Sequence, residues 1–476
     1  MKYKKIKLLA LVGIASLASC NDAREIYQDG IISEDNVWEN LEDLQLGLNG
    51  VYSAYSPETD INFNAIFTDN IKRGDANNGQ GQGLYNFNLI PGTTQAEGIW
   101  TERYSVINRV NRVMLGIEDL EFEEPADIET ENQIEAELLT MRALSHLDLF
   151  LYYTEDYSNP SGLAVPIVDF VPEISAQPTR NTVQETLEFI KSDLQLASEK
   201  IGSNSSDSFY ININTIRAIQ SKIALIEGDY TLANDLAMDL VAEYPLSNPT
   251  EYEEMFQDIS AGESIFTIAR GQDDTQVAGL FYFNTVTLDG DPYLEVSNGL
   301  FNELSDDDVR KSVIIGPESV IDGVNSPSNI LLINKYPGSV EPLVNDIKLI
   351  RSSEMLLIAA EAKARNNNLS GAALDVQQLR NARFSVSQPL PSYSNLNEAL
   401  SDILYERRLE FAFEGKRYLD LKRIGRDINQ GVSRNNTDCD SFSAPCELPR
   451  NSYKFTLPIP QVELNANSAI QQNTGY

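Results

Sequence analysis

Three glutamates near the C-terminus have the spacing that most resembles catalytic machinery. Glu406, Glu410 and Glu414 follow one another at intervals of four residues, which places their carboxylates on one face of a helix. Glycoside hydrolases use pairs of carboxyl groups to protonate and displace a sugar. The pattern therefore raises one enzymatic hypothesis, hydrolysis of a glycosidic bond.

The basic residues around these acids argue against that hypothesis. Five of them are interleaved with the acids: Arg407, Arg408, Lys416, Arg417 and Arg423. A nearby positive charge lowers the pKa of a carboxyl group, whereas a general acid needs a raised pKa. We therefore predict a structural set of ion pairs between packed helices, and we predict the same role for Glu354 and Glu361 near Arg351.

The chain has few of the residues from which other catalytic sites are built. The sequence holds one histidine, His146, and three cysteines, too few for a zinc cluster or for an oriented histidine triad. His146 lies inside a predicted helix, where we expect it to be buried and hydrogen-bonded. No Gly-x-Ser-x-Gly, Walker or His-Glu-x-x-His pattern is present. We predict no catalytic residue, no metal site and no cofactor.

Length and net charge indicate the domain organisation and exclude one class of ligand. A chain of 476 residues exceeds one simple core, so we expect two lobes or an extended helical array. Its 36 basic and 71 acidic residues give a net charge of −35. So acidic a surface repels phosphates, which disfavours nucleic acid as the main ligand.

The first twenty residues are typical of an export signal. Four lysines precede an apolar stretch at 8–17, which is shorter than the roughly twenty residues that a bilayer-spanning helix needs. The sequence Leu-Ala-Ser-Cys that follows resembles the lipobox of bacterial lipoproteins, which implies that Cys20 is diacylated, that signal peptide 1–19 is then removed, and that Cys20 becomes the first residue. An ordinary secretory signal with an incidental cysteine is the alternative.

The two remaining cysteines, Cys439 and Cys446, lie seven positions apart. In an oxidising compartment we predict that they form a small loop-closing disulfide, with two free thiols as the alternative. Their spacing is not Cys-x-x-Cys, so we do not expect a redox role.

Helical periodicity dominates the hydrophobic pattern. We predict four amphipathic helices, at 38–55, 100–120, 134–151 and 182–201. Thr182 or Asn181 can cap the last one, with Glu185 placed for a capping box. Stretches 224–245 and 359–373 resemble tetratricopeptide helix pairs, with a plain helical hairpin as the alternative. Segments 57–98 and 247–345 are richer in Gly, Asn and Asp and predict loops with short strands.

Four segments read together carry a family resemblance. They are 136–157, which begins AELLTMRAL, 350–362 (IRSSEMLLIAAEA), 406–423, and 457–460 (LPIP) with the tail QNTGY. In this order, behind a lipobox, they resemble the SusD/RagB family of outer-membrane nutrient-binding lipoproteins over nearly the whole mature chain. One departure is Thr474, where the family tail usually has proline.

The resemblance implies a mostly α, SusD-like fold, with tetratricopeptide-like helix pairs packed against an irregular, loop-rich part with a few short strands. The body would span 20–476, with an N-terminal part at about 20–230 interwoven with a C-terminal part at about 231–476. It also implies a lipid-anchored protein on the outer face of the outer membrane. There it would bind an oligosaccharide or polysaccharide without cleaving it and deliver it to a SusC-type TonB-dependent transporter. A peptide ligand, or less readily an anchored glycoside hydrolase, are the alternatives.

Binding a sugar in this way needs aromatic planes for stacking and polar groups for the hydroxyls. Loops on a rigid scaffold are the usual place for such groups. Such groups occur in two segments, 63–88 and 281–293, and at the start of the predicted helix 100–120. The candidate ligand-binding residues are Phe63, Phe67, Asp69, Asn70, Lys72, Arg73, Tyr85, Asn86, Phe87, Trp100, Tyr282, Phe283, Asn284 and Tyr293. Because the surface is acidic, we expect a neutral glycan unless Lys72 and Arg73 create a local positive spot.

The lipobox interpretation makes a direct prediction. The substitution Cys20→Ala should leave folding intact and release the protein from the membrane, because no acyl chain then anchors it. Membrane fractionation measures the release, and circular dichroism of the released protein checks the fold. Retention of the variant in the membrane fraction would show that the lipobox is not the anchor.

Overall fold

Helices are the main secondary structure of the residues described in this computed structural model. The structure describes residues 37–476 except 203–206, 273, 275, 283–291, 339–343 and 440–443. The predicted signal peptide and Cys20 lie outside the described residues. Within the described part, no helix combines the length and apolarity needed to cross a bilayer.

The helices are numbered here in chain order. They are α1 (Leu41–Ala54), α2 (Glu58–Phe67), α3 (Gln82–Tyr85), α4 (Thr94–Asp119), α5 (Pro125–Tyr153), α6 (Val183–Lys200), α7 (Ile213–Glu227), α8 (Tyr230–Glu243), α9 (Pro249–Phe256), α10 (Asn298–Phe301), α11 (Arg310–Ile314), α12 (Ser352–Arg365), α13 (Leu369–Arg383), α14 (Leu396–Glu410), α15 (Arg417–Asp427), α16 (Asn436–Cys439) and α17 (Gln461–Ala466). Short 3₁₀ turns occupy Asp75–Asn77, Val277–Leu280 and Tyr453–Phe455.

The four helices predicted from periodicity are present as α1, α4, α5 and α6, and they pack in sequence order. Thr182, rather than Asn181, caps α6. Its hydroxyl accepts from the backbone N–H of Glu185 at 3.2 Å, and the Glu185 carboxylate accepts from the backbone N–H of Thr182 at 2.8 Å. This reciprocal pair is the predicted capping box, and it satisfies two N–H groups that a helix start leaves free.

Two helical hairpins, α7–α8 and α12–α13, pack side by side in the helical body. Gly228 joins α7 to α8 in the left-handed region, with φ of 86°. Asn367, with φ of 60°, lies in the turn between α12 and α13. Buried alanines line the hairpins, and α8 packs against α12 to join the two pairs. Small side chains allow this close approach, as the tetratricopeptide-like pattern predicted.

The strands form three two-stranded antiparallel sheets. They are β1 (Ile71–Arg73) with β3 (Leu294–Val296), β2 (Ser264–Ile268) with β4 (Ile347–Arg351), and β5 (Val432–Ser433) with β6 (Glu447–Leu448). Each pair joins segments that are distant in the chain or closes a loop. The expectation of a few short strands is confirmed.

The prediction of loops throughout 57–98 is wrong for α2. This helix buries Ile61, Phe63, Ala65, Ile66 and Phe67. Because it is buried around most of its circumference, its sequence lacks the one-sided stripe by which a surface helix is recognised. Hydrophobic periodicity therefore does not predict this helix.

Candidate functional site

The carboxylate of Glu410 lies at the centre of a buried ion-pair cluster. Its side chain is 0% exposed. It accepts hydrogen bonds from Arg351 at 2.8 Å and from Arg383 at 2.9 and 3.0 Å. Both arginines also bind Glu263, at 2.7 and 2.8 Å. Two acids and two guanidinium groups thus neutralise one another out of contact with water.

The cluster extends to both sides. Arg351 and Lys335 each reach Glu414 at 2.8 Å. Arg310 joins Glu406 at 2.8 Å and Asp308 at 2.7 Å. Each of these side chains is at most 4% exposed. Each of the three glutamates proposed as a catalytic set is therefore held by at least one cation.

Neighbouring cations lower the pKa values of Glu410, Glu414 and Glu361. Burial alone would raise the pKa of Glu410, but Arg383 and Arg351 lower it well below its usual value. Burial alone would also raise the pKa of Glu361, but the charges of Arg423 and Arg365 outweigh it and lower this pKa to about 2. Such carboxyl groups are ionised at neutral pH and cannot serve as general acids. The prediction of a structural ion-pair set is confirmed.

His146 is also structural. Its Nδ1 lies 2.9 Å from the carbonyl oxygen of Arg142, and its Nε2 accepts from the backbone N–H of Val168 at 3.3 Å. Burial lowers the pKa of the imidazole to about 3, so the ring is neutral. The predicted buried, hydrogen-bonded histidine is confirmed.

The two segments predicted to bind ligand do meet in space. Strand β1 pairs with β3, so that Ile71 lies opposite Val296 and Arg73 opposite Leu294. Lys72 forms a buried ion pair with Glu295 at 3.1 Å. The guanidinium group of Arg73 is also buried, 5.4 Å from the centre of the Tyr85 ring. The idea of an exposed positive spot at Lys72 and Arg73 is therefore wrong.

Most of the predicted aromatic residues face inward. Phe63 and Phe67 pack edge-to-face on Tyr418, with ring centres 4.9 and 5.7 Å apart. Tyr282 is buried and donates to the carbonyl oxygen of Ile333 at 2.7 Å. Tyr85 and Phe87 are buried as well. The expectation of exposed rings at these five positions is wrong, because tertiary packing gathers them into the core.

Three further candidates, Asp69, Asn70 and Trp100, also make contacts within the fold. Asp69 forms an ion pair with Arg417 at 2.8 Å, and Asn70 accepts from Arg408 at 3.0 Å. Trp100 is 2% exposed, and its ring N–H donates to Glu463 at 3.3 Å. Helix α4 begins six residues before Trp100, not at it, so the ring lies in the helix body. Phe283 and Asn284 lie outside the described residues.

An exposed loop of amide side chains lies over this buried layer. We call residues 75–88 the amide loop. Asn78, Gln80, Gln82 and Asn88 are exposed. The predicted residue Asn86 is half-buried in the same loop, and the predicted Tyr293 is half-buried beside it. Ligand contact by Asn86 and Tyr293 remains a prediction.

The amide loop is held in shape from below. The buried side chain of Asn77 donates to the carbonyl oxygens of Gln80 and Tyr293 at 3.0 and 3.1 Å. Asn78 and Gly79 take left-handed φ values of 49° and 88°, which Asn and Gly adopt more readily than other residues. The exposed amides are therefore presented on a defined backbone.

Arg434 supports the same loop and was not predicted. Its guanidinium group donates to the carbonyl oxygens of Ile66 at 3.1 Å and Thr68 at 2.8 Å, and also to that of Tyr85. It lies 3.9 Å from the Tyr85 ring centre and 4.2 Å from that of Phe87. A lone arginine in an Asn-rich stretch carries no spacing signal, so only the structure identifies this role.

A disulfide closes the segment beside Arg434. Cys439 and Cys446 are bonded, with their Cα atoms 5.5 Å apart, which is the state predicted over free thiols. The backbone N–H of Arg434 donates to the carbonyl oxygen of Cys446 at 2.9 Å. The disulfide thus lies next to the arginine that supports the amide loop.

A second group of amides lies close to this segment. The side chains of Asn302 and Asn435 donate to the side-chain oxygen of Asn325 at 2.6 and 2.7 Å. Asp438 links the two regions, because its backbone carbonyl accepts from Tyr85 and its carboxylate accepts from the N–H of Asn298. Among the described residues, no group of three or more His, Cys, Asp or Glu is placed to hold a metal ion.

Comparisons with known proteins cover most of the chain. A family model described as "SusD family" matches residues 333–476, and one described as "Starch-binding associating with outer membrane" matches 27–227. The SusD-like protein P38 of Formosa agariphila is 24% identical over 90% of this chain and 93% of its own length. SusD-like protein P2 of the same organism is 25% identical, over 99% and 100%.

Solved structures share the fold. A SusD superfamily protein from Bacteroides thetaiotaomicron superposes with a TM-score of 0.76 at 25% identity, covering 91% of this chain and 100% of that one. A protein from Bacteroides vulgatus, described as a putative sugar-binding protein, gives a TM-score of 0.73 at 24% identity, covering 92% and 99%. The mostly helical fold predicted from the sequence is confirmed.

Removing the central carboxylate tests the structural role of the cluster. Glu410→Gln should lower the free energy of unfolding by about 3–5 kcal/mol, because it removes one of the anions that neutralise Arg351 and Arg383 and leaves an uncompensated positive charge buried. Urea unfolding followed by circular dichroism measures the change. The exposed Glu188→Gln is the control and should change stability little. An unchanged stability in Glu410→Gln would contradict the structural role.

The lowered pKa of Glu361 predicts a dependence on pH. Its ionised form is favoured by Arg365 and Arg423 in the folded state. The resulting stabilisation, on the order of 3 kcal/mol, is complete above the unfolded pKa of about 4.3 and is lost as pH falls towards 2. Urea unfolding of the wild type and Glu361→Gln from pH 6 to 2.5 measures it. The stability difference between them should shrink over that range, and a constant difference would contradict the lowered pKa.

Proposed function

Because the chain belongs to the SusD/RagB family, we propose that it is a cell-surface lipoprotein that binds an oligosaccharide or polysaccharide and delivers it to a SusC-type TonB-dependent transporter. Members of this family are non-catalytic binding proteins. Catalytic turnover by the acid-rich helix is therefore not part of the proposal. The binding surface is the amide loop with its neighbouring amides.

The exposed amides of a supported loop carry this proposal. Each amide side chain offers two donors on nitrogen and an acceptor on oxygen, which matches the mixed donor and acceptor character of sugar hydroxyl groups. Asn77 holds the loop backbone at Gln80, and Arg434 holds it at the carbonyl oxygen of Tyr85. Pre-organised groups lose less conformational entropy on binding, so more of the free energy of the contacts appears as affinity.

The charge of the surface supports a neutral glycan. Residues 75–88 contain one acid, Asp75, and no lysine or arginine. The cations nearest in sequence, Lys72 and Arg73, are buried. A protein with a net charge of −35 repels polyuronates and sulfated glycans at long range. Of the sugar classes, an uncharged chain fits this surface best.

The proposed anchor and partner complete the uptake role. Acylation of Cys20 would hold the mature chain, 20–476, at the outer face of the outer membrane. A model described as associating with the outer membrane matches most of the N-terminal part, which supports that location. A tethered binder raises the local concentration of its ligand at a neighbouring transporter. The pairing of β1 with β3 fits the proposed interweaving of the parts 20–230 and 231–476.

Removing exposed amides tests the binding surface. The triple variant Asn78→Gly, Gln80→Ala and Gln82→Ala should weaken binding of a neutral oligosaccharide about tenfold or more, since each lost hydrogen bond costs about 1 kcal/mol. Glycine at position 78 keeps the left-handed backbone. Isothermal titration calorimetry with maltoheptaose and with a panel of other neutral oligosaccharides measures the affinity.

A matched control and a second ligand class complete that experiment. Gln184→Ala with Gln195→Ala removes two exposed amides from helix α6 and should leave binding unchanged. Full affinity in the triple variant would show that the amide loop is not the binding surface. Selective binding of polyuronates or sulfated glycans would show that the ligand is not neutral.

A further inference from the structure

A cleft of about 140 Å³ opens between helices that lie apart from the amide loop. Its walls come mainly from α5, α7, α15 and strand β4, and none of its lining residues belongs to 75–88. Lys222, Leu419 and Arg423 line it and are partly exposed, so these residues mark its mouth. Tyr152 and Leu144 lie in its buried part.

Most charges on the cleft wall are already neutralised. The Glu354 carboxylate receives Lys222 at 2.9 Å and Lys416 at 2.7 Å. On the other wall, Arg103 joins both Asp60 and Asp148 at 2.7 Å. Because these ions compensate one another, the wall leaves little net charge to attract an ionic guest.

One ion pair on the wall keeps two unused hydrogen-bonding atoms. Arg407 Nε donates to Asp420 Oδ1 at 2.7 Å. The other ends of the two side chains, Arg407 Nη1 and Asp420 Oδ2, are buried and have no hydrogen-bond partner among the described residues. Both residues line the cleft, and they are only 5% and 4% exposed. Buried polar atoms are nearly always satisfied in folded proteins, so a partner from outside the chain is expected here.

We propose that this cleft binds a small uncharged polyhydroxyl compound, no larger than a single pyranose ring, through Arg407 and Asp420. A hydroxyl group can accept from Arg407 Nη1 and donate to Asp420 Oδ2, whereas a carboxylate can only accept. A cavity of about 150 Å³ holds one benzene-sized molecule, so a six-membered ring matches the volume. Tyr157 and Leu419 line the same cleft and offer apolar surface to the C–H faces of such a ring.

The proposed site stands apart from the amide loop in both place and ligand size. The loop is an open surface suited to a chain of sugars, whereas the cleft admits one ring. Binding at one therefore does not require binding at the other, and the two can be tested separately.

A crystal structure of the mature chain, grown and frozen without sugar or glycerol and then soaked in D-xylose, tests the cleft directly. We expect xylose in the cleft with hydroxyl groups in hydrogen-bond contact with Arg407 Nη1 and Asp420 Oδ2. Ordered water alone on these two atoms after soaking would overturn the proposal. Xylose bound only outside the cleft would overturn it as well.

Blocking the mouth tests the same site in solution. Leu419→Trp should abolish the xylose-induced NMR chemical-shift changes of residues that line the cleft, while Leu196→Trp, an exposed position on α6, should preserve them. The triple amide-loop variant should also keep xylose binding. Loss of xylose binding in that variant, or its survival in a folded Leu419→Trp protein, would overturn the cleft assignment. If Leu419→Trp does not fold, the soaked crystal decides.

Discussion

The burial of the Glu410 carboxylate is the constraint on which the rest of the structure depends. A buried charge is tolerated only when it is paired and fully hydrogen-bonded. Here the members of the cluster come from the ends of separate elements: Arg351 ends β4, Arg383 ends α13, and Glu263, which pairs with both arginines, directly precedes β2. The sheet β2–β4 and the helices α13 and α14 must therefore meet at one point. Few alternative packings could satisfy all of these charges together.

The same acid- and arginine-rich segment connects this cluster to the proposed binding surface. Arg417 and Arg408 reach Asp69, which lies two residues before β1. Strand β1 leads directly into the amide loop, and its partner β3 follows Tyr293. A motif that looks catalytic in the sequence thus fixes the base of the loop that we propose binds the ligand. Its charged side chains hold segments of the fold in place and do not serve to transfer protons.

The helical frame could be predicted from the sequence, because each amphipathic helix carries its own periodic stripe. The pairing role of Glu406, Glu410 and Glu414 could also be predicted, since the interleaved arginines are visible in the sequence. Which aromatic rings reach the surface could not, because Phe63 and Tyr282 are buried by elements far away in the chain. Arg434 was missed for the same reason: its carbonyl partners, Ile66 and Thr68, lie more than 360 positions earlier.

Glycan binding at the amide loop, without cleavage, can be observed in a crystal structure of the mature chain soaked with a neutral oligosaccharide that it binds in solution. We expect an intact oligosaccharide lying along the amide loop, in hydrogen-bond contact with the side chains of Asn78, Gln80 or Gln82. A cleaved sugar, or an oligosaccharide bound with no contact to residues 75–88, would contradict this expectation.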